Sequence, residues 1–197
     1  MPNYTADWFS KNIPSWTTIL ADKEGFKNIL EIGCFEGQAT VWLLENLPNC
    51  RITAVDVFEE TDKYKGYGGY EHDYGKLFLE NITPYVDRVQ ACKGTSLEWL
   101  ITFHKITPKV EFDLVYVDGS HQAVSVLQDI VLSWELLKEG GIMICDDYEW
   151  HIKEDKPRTA IDAFMEVYKG KFSVINKGYQ IAFKKLAEAS QVPHVAQ

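Results

Sequence analysis

Apolar residues along this chain follow two alternating rhythms. Short apolar runs that stop on Gly or Asp alternate with stretches whose apolar positions recur every three or four residues. The first pattern suits strands buried on both faces, and the second suits helices with one packed side. Residues 5–24 are predicted as helical, broken by Pro14. The run 27–33 is a strand ended by Gly33. Residues 37–47 form a helix, with Val41, Leu44 and Leu47 at helical spacing and Pro48 just beyond. Residues 50–58 form a second strand ending on Asp56. A loop rich in Gly, Tyr and charge, 59–75, leads to a helix at 74–82 and a strand at 86–92. Residues 96–105 form a helix with Ser96 as its N-cap. The strand 111–121 is apolar almost throughout and ends at Asp118-Gly119. Val124, Leu127, Val131, Trp134 and Leu137 then mark a helix over 121–138, closed by "KEGG", because Gly past a helix end suits a left-handed cap. A strand at 141–146 ends on the pair Asp146-Asp147. A helix over 158–168 and two strands, 171–176 and 178–185, complete the pattern, with a turn near Lys177-Gly178.

Strands alternating with helices imply an α/β fold: a seven-stranded, mostly parallel sheet, helices on both faces, and an antiparallel C-terminal hairpin. The 197 residues suffice for one domain with a sizeable core. That domain is divided as an N-terminal helical extension (1–25), a core (26–185) and a polar tail (186–197). Apolar residues make up 46% and charged residues 25%, as in ordinary globular chains. The formal charge of −9 disfavours a nucleic-acid partner, whose binding rests on Lys and Arg. No signal peptide and no membrane-length apolar stretch is present in the sequence. Cys34, Cys50, Cys92 and Cys145 show no metal spacing and read as reduced thiols, which places the protein in the cytoplasm.

Candidate chemistry lies at the strand ends. In open α/β sheets, ligands bind beyond the carboxyl ends of the strands, where strand order reverses. Acids stand at four such ends: Glu31, Asp56, Asp118, and Asp146-Asp147. Any single one could be a solvated strand end; four in a row argue for a site. In "EIGCFEGQ", Phe35 occupies the place where a dinucleotide fingerprint needs a second Gly, so a bulky ring would crowd a diphosphate. There is also no G-x-x-x-x-G-K-[ST] phosphate loop. A glycine turn without a phosphate cradle suits S-adenosylmethionine, which carries adenosine but no phosphate. Asp56 is placed to accept bonds from ribose hydroxyls.

These features together resemble the class I S-adenosylmethionine-dependent methyltransferases, and within them the small O-methyltransferases with a D-G-S-H motif after strand four. The resemblance rests on E-x-G-x-x-x-G, the acid after strand two, "FDLVYVDGSH", "LLKEGGIMICDDY" and the C-terminal "GYQIAFKK". It implies a Rossmann-like sheet with Glu31, Gly33 and Gly37 lining the methionine and ribose side of the cofactor. It also implies Asp56 on the ribose, Val57 and Phe58 flanking the adenine, and Gly94, Thr95 and Ser96 at the adenine edge, where the family's usual acid is missing. Asp118 would border both cofactor and acceptor. Metal-dependent relatives hold a divalent cation with acids at the positions of Asp118, Asp146 and Asp147. Their hard oxygens suit Mg²⁺, which lowers a hydroxyl's pKa and places it in line with the methyl group. A metal-free use of these acids stays open.

The resemblance also makes His121, three residues after Asp118, a candidate general base beside Asp118, although relatives place a lysine there. The alternative is that it only orients the site. His151 could approach the same pocket, whereas His72 and His104 read as surface or core residues. The loop 59–75, with Tyr64, Tyr67, Tyr70, His72 and Tyr74, reads as a lid. Trp8, Phe9 and Trp16 make the N-terminal extension too apolar for a free tail: it packs on the sheet or contacts a second copy in a homodimer. The expected function is O-methylation of a small-molecule acceptor with cation assistance. The alternatives are a metal-independent N- or protein methyltransferase, or a binding protein that keeps the fold without catalysis.

Overall fold

The computed structural model describes residues 2–58, 73–107 and 111–187. Seven strands form one sheet in the order β3-β2-β1-β4-β5-β7-β6. They are β1 (Asn28–Ile32), β2 (Arg51–Asp56), β3 (Val89–Lys93), β4 (Phe112–Val117), β5 (Leu137–Cys145), β6 (Phe172–Lys177) and β7 (Ile181–Lys185). Strands β1 to β5 pair in parallel, and β7 enters antiparallel between β5 and β6. The order reverses between β1 and β4, so a crevice opens beyond their carboxyl ends. The α/β fold, the mostly parallel sheet and the C-terminal hairpin expected from the sequence are all present.

Helices cover both faces: α1 (Ile13–Ile19), α2 (Gln38–Asn46) and α3 (Tyr74–Ile82) on one, and α4 (Ser96–Ile106), α5 (Ala123–Leu136) and α6 (Pro157–Val167) on the other. Period-two alternation in β1 and β4 divides the core. Ile29, Leu114 and Tyr116 face the α1–α3 side, while Leu30, Ile32, Val115 and Val117 face the α4–α6 side. Every residue of β4 is buried, as its unbroken apolar run requires.

Several boundaries differ from the sequence expectation, among them the third strand, which starts at Val89 after a 3-10 helix over Thr83–Arg88, and the fourth, which ends at Val117. The N-terminal region is not one broken helix but a 3-10 turn, Ser10–Asn12, followed by α1. Pro14 sits in the first turn of α1, where its missing N–H is not needed, so it starts the helix rather than breaking it. The N-cap of α4 is Thr95, whose hydroxyl accepts from Glu98 N–H, so Ser96 is the first helical residue. His121 lies before α5 rather than in it. The glycines of "KEGG" do not cap α5, because Leu137 already turns extended and pairs with Phe112. They lie inside β5 at a register shift, where Gly140 takes φ +76°. A Cβ on Gly141 would stand 2.7 Å from Leu137 Cδ1.

The N-terminal segment packs on the sheet. Phe9 and Trp16 are buried, and Trp16 meets Tyr116 edge-on with ring centroids 4.8 Å apart. Trp8, half exposed, stacks on Phe35. Cys34, Cys50 and Cys145 are buried free thiols, and Cys92 is half-buried. No helix among the described residues is long and apolar enough to cross a membrane. Most of the expected lid, with Tyr64, Tyr67, Tyr70 and His72, lies outside the described residues, as does most of the tail.

Candidate active site

The turn after β1 is built by two residues at its ends and one acid from β2. Gly33 takes φ +82°, and a Cβ there would overlap the Asp118 carbonyl and stand 2.6 Å from Gly119 Cα. Only glycine lets the β1 and β4 ends approach this closely. Gly37, also at φ +82°, opens α2. Phe35 itself is left-handed at φ +47°. Asp56 fixes the turn: its Oδ2 accepts Cys34 N–H (2.7 Å) and Phe35 N–H (3.0 Å), and its Oδ1 accepts Phe58 N–H (2.9 Å). The Tyr74 hydroxyl approaches Oδ1 at 3.4 Å. Asp56 therefore organises the turn, and a ribose hydroxyl would have to share an oxygen already bonded.

Glu31 lies fully buried in this turn, and Thr40 Oγ1 donates to its Oε2 (2.7 Å). Its Oε1 has no hydrogen-bond partner among the described residues. Burial, opposed by the Thr40 bond and reinforced by Asp56, pushes its pKa up to about 8. An orphaned buried acceptor costs stability unless a donor arrives. A cationic amine is the donor that suits it best, so the turn fits the methionine end of S-adenosylmethionine. The expected adenine flank is less complete: Phe58, at φ +48°, turns its ring onto Phe78 (centroids 4.7 Å), and Val57 is half-buried beside it. Gly94 takes φ +150° with open space at its Cβ, leaving room beside Thr95 and Ser96.

At the other side of the crevice, β4 and β5 bring Asp118 and Asp146 together around Tyr116. The Tyr116 oxygen lies 2.7 Å from Asp118 Oδ2 and 2.9 Å from Asp146 Oδ2. One phenol has one proton to give. With both acids against it, one carboxyl must hold a proton of its own. Burial and mutual repulsion raise both: Asp118 well above the carboxylate range, by burial, then Asp146 and Asp147, and Asp146 by burial and Asp147. Tyr116 occupies an apolar run and reads as core; no sequence signal marks its role.

Asp147 turns elsewhere. At φ +58°, its Oδ2 lies 2.5 Å from His121 Nε2, and its Oδ1 accepts the Tyr179 hydroxyl (2.7 Å). Burial opposes its charge, but the bond and charge of His121, with Tyr179 and Lys11, hold its carboxyl below the ordinary range. Lys11 Nζ stands 3.5 Å from the Tyr179 ring centroid. His121 stacks on Trp150 at 4.8 Å. With Nε2 on Asp147 and Nδ1 covered, the imidazole must turn before it can meet an acceptor. His151 is exposed, with Nδ1 3.0 Å from the nearby Glu149 carbonyl, and His104 bridges α4 to Leu132 of α5.

The three acids expected to hold a cation thus divide two and one. Among the described residues, no group of three or more His, Cys, Asp or Glu is gathered to hold a metal ion. Asp118 and Asp146 fit a hard dication in chemistry: two enclosed carboxyl groups whose oxygens converge and whose charged forms burial disfavours until a cation arrives. Asp147 does not join them.

Comparison with known proteins places the chain in a family. Residues 30–148, more than half of the chain, match the family model described as "Methyltransferase domain". The O-methyltransferase hkm8 of Aspergillus hancockii is 30% identical over 135 residues, covering 68% of this chain and 47% of the relative. The chain spans about half the length of the curated relative it matches. An O-methyltransferase from Bacillus cereus, solved with SAH, superposes with TM-score 0.69 at 20% identity, covering 92% of this chain and 84% of that one. The MycE methyltransferase of the mycinamycin pathway, solved with Mg and SAH, superposes with TM-score 0.66 at 14% identity, covering 96% and 53%. The chain belongs to the methyltransferase-domain family.

Proposed function

We propose that this protein transfers the methyl group of S-adenosylmethionine to a hydroxyl oxygen of a small molecule, with a divalent cation at Asp118 and Asp146. The observation that carries the cofactor is Glu31 Oε1, buried and without a donor among the described residues, beside the close approach at Gly33. The cofactors of the superposed enzymes support it, as does the O-methyltransferase relative. The negative charge supports a small acceptor over a nucleic acid, and the free thiols support a cytoplasmic setting.

Glu31 receives the cofactor's amine, and the Gly33 turn lets the ligand lie against the backbone. Bound there, S-adenosylmethionine supplies a methyl carbon made electrophilic by its sulfonium. Asp118 and Asp146 would hold Mg²⁺, whose chemistry is to lower the acceptor hydroxyl's pKa. His121, turned from Asp147, takes the hydroxyl proton. The chemistry the cofactor would supply is a methyl group able to bond to the acceptor oxygen while sulfur keeps the electron pair and leaves as the neutral thioether, the acceptor's proton going to His121.

Titration calorimetry with S-adenosylmethionine and S-adenosylhomocysteine, each with Mg²⁺ or with EDTA, tests this reading. Micromolar binding of both is expected. Absence of heat in every condition overturns the cofactor assignment. Methyl transfer to hydroxylated acceptors that persists undiminished in EDTA would favour a metal-independent enzyme. The specific observation on that side is Asp147, which pairs with His121 instead of Asp118 and Asp146.

A further inference from the structure

A buried chain of hydrogen bonds runs from helix α1 to the two acids beyond β4 and β5. Trp16, Gln180 and Tyr116 are all almost fully enclosed. Trp16 Nε1 donates to Gln180 Oε1 (2.6 Å), and Gln180 Nε2 donates to the Tyr116 oxygen (3.3 Å), with a further bond from the Gln180 amide to the Asp146 carboxyl. An indole N–H can only donate. It therefore fixes which way the Gln180 amide faces: oxygen toward Trp16, nitrogen toward Tyr116. With a donor entering from Gln180, the Tyr116 hydroxyl faces Asp118 Oδ2 and Asp146 Oδ2, giving its one proton to one of them and meeting the proton held by the other. The Tyr116 ring cannot swing away, because Trp16 meets it edge-on at 90°.

We propose that Tyr116 is a positioning residue that pins the Asp118 and Asp146 carboxylates to one point, with Gln180 and Trp16 setting the direction of its hydroxyl. Without that anchor the two side chains, on neighbouring strands, would be free to turn apart. Held at Oδ2, they keep a common orientation in which a cation finds two ligands already placed. The proposal rests on the reading that these acids hold the cation. It also makes α1, which lies outside the region matched by the family model, part of the site.

The test compares wild type with Tyr116→Phe, which keeps the ring against Trp16, and Gln180→Met, which keeps bulk but removes the amide. Three quantities are measured: Mn²⁺ affinity by calorimetry, S-adenosylhomocysteine affinity in EDTA, and the Trp16 indole N–H resonance, assigned with Trp16→Phe. Loss of an outer-shell partner typically costs about 10–100-fold in metal affinity. A fall of that size is expected in Tyr116→Phe, with cofactor affinity in EDTA and melting temperature nearly unchanged. In Gln180→Met the indole resonance should move upfield and Mn²⁺ affinity should fall several-fold. Equal Mn²⁺ affinity in wild type and Tyr116→Phe overturns the proposal while leaving the cation reading intact. A wild-type protein that binds no Mn²⁺ removes the cation reading and the proposal with it. Parallel loss of cofactor affinity and melting temperature in both variants would make the role merely structural.

Discussion

Strand β4 carries one acid near its start and another just past its end, and the two live in opposite conditions. Asp113 is ion-paired with Lys138 of β5 and accepts the N–H groups of Lys27 (2.8 Å) and Asn28 (2.7 Å). Burial opposes its charge, but these partners outweigh burial and hold its carboxyl below the ordinary range. Asp118, five residues later, meets a phenol and two other carboxylates, and its carboxyl rises. The same residue type on the same strand is a charged fastening at one end and a carboxyl pushed toward its neutral form at the other. Such imbalance is tolerated where a ligand later corrects it, and Glu31 on β1 shows it again. The amino end of the sheet is finished by its own residues; the carboxyl end is left for something to bind.

Breaking each end in turn sharpens this contrast. Glu31→Gln should have the largest effect: S-adenosylhomocysteine affinity by calorimetry should fall about 30–100-fold, the value of a charged hydrogen bond. Unchanged affinity would detach Glu31 from the cofactor. Asp113→Ala should lose about 2 kcal/mol and lower the melting temperature by roughly 4–8 °C, while cofactor affinity stays as in wild type.

The cofactor-free protein should also show the imbalance as a pH dependence. The Glu31 carboxyl, raised from 4.5 to about 8, binds its proton more tightly folded than unfolded. Its contribution is thus full below the unfolded value and is lost as pH rises through about 8. Glu31→Gln lacks this loss. Scanning fluorimetry should find the two proteins alike at pH 5 and the variant more stable at pH 8; equal behaviour at both would refute the burial argument. The smallest effect belongs to Lys138→Met, which removes one of three partners of Asp113 and should cost about 1 kcal/mol. No change would mean that the backbone donors alone hold Asp113.

Much of this arrangement was legible in the chain. Apolar runs that stop on acids placed Asp56, Asp118 and Asp146 at strand ends, because strands buried on both faces leave little doubt about where they finish. Gly33 was legible for the same reason. Other features depend on neighbours that no local pattern names. "LLKEGG" satisfies a helix end as well as a strand start, and the pairing of Leu137 with Phe112 decides between them. Asp56 reads as a ligand acid, yet the turn it closes consumes most of its bonding capacity. Tyr116 sits inside a run of core residues. Its hydroxyl becomes a site group only because parallel pairing with β5 puts Asp146 beside Asp118. Likewise, Asp146 and Asp147 are neighbours in sequence, but a left-handed residue sends their side chains to different partners.

The bond between Trp16 and Gln180 spans 164 residues. On the ribosome, at roughly 5–20 residues per second, helix α1 waits about 8–30 s before its hydrogen-bond acceptor has been made. During that interval β1 to β5 can emerge and begin to pair, but the acid pair has no fixed orientation. Completion of the C-terminal hairpin is therefore also the moment at which Gln180 can join Trp16 to Tyr116. A chain halted before β7 would carry every strand-end acid and still lack that link.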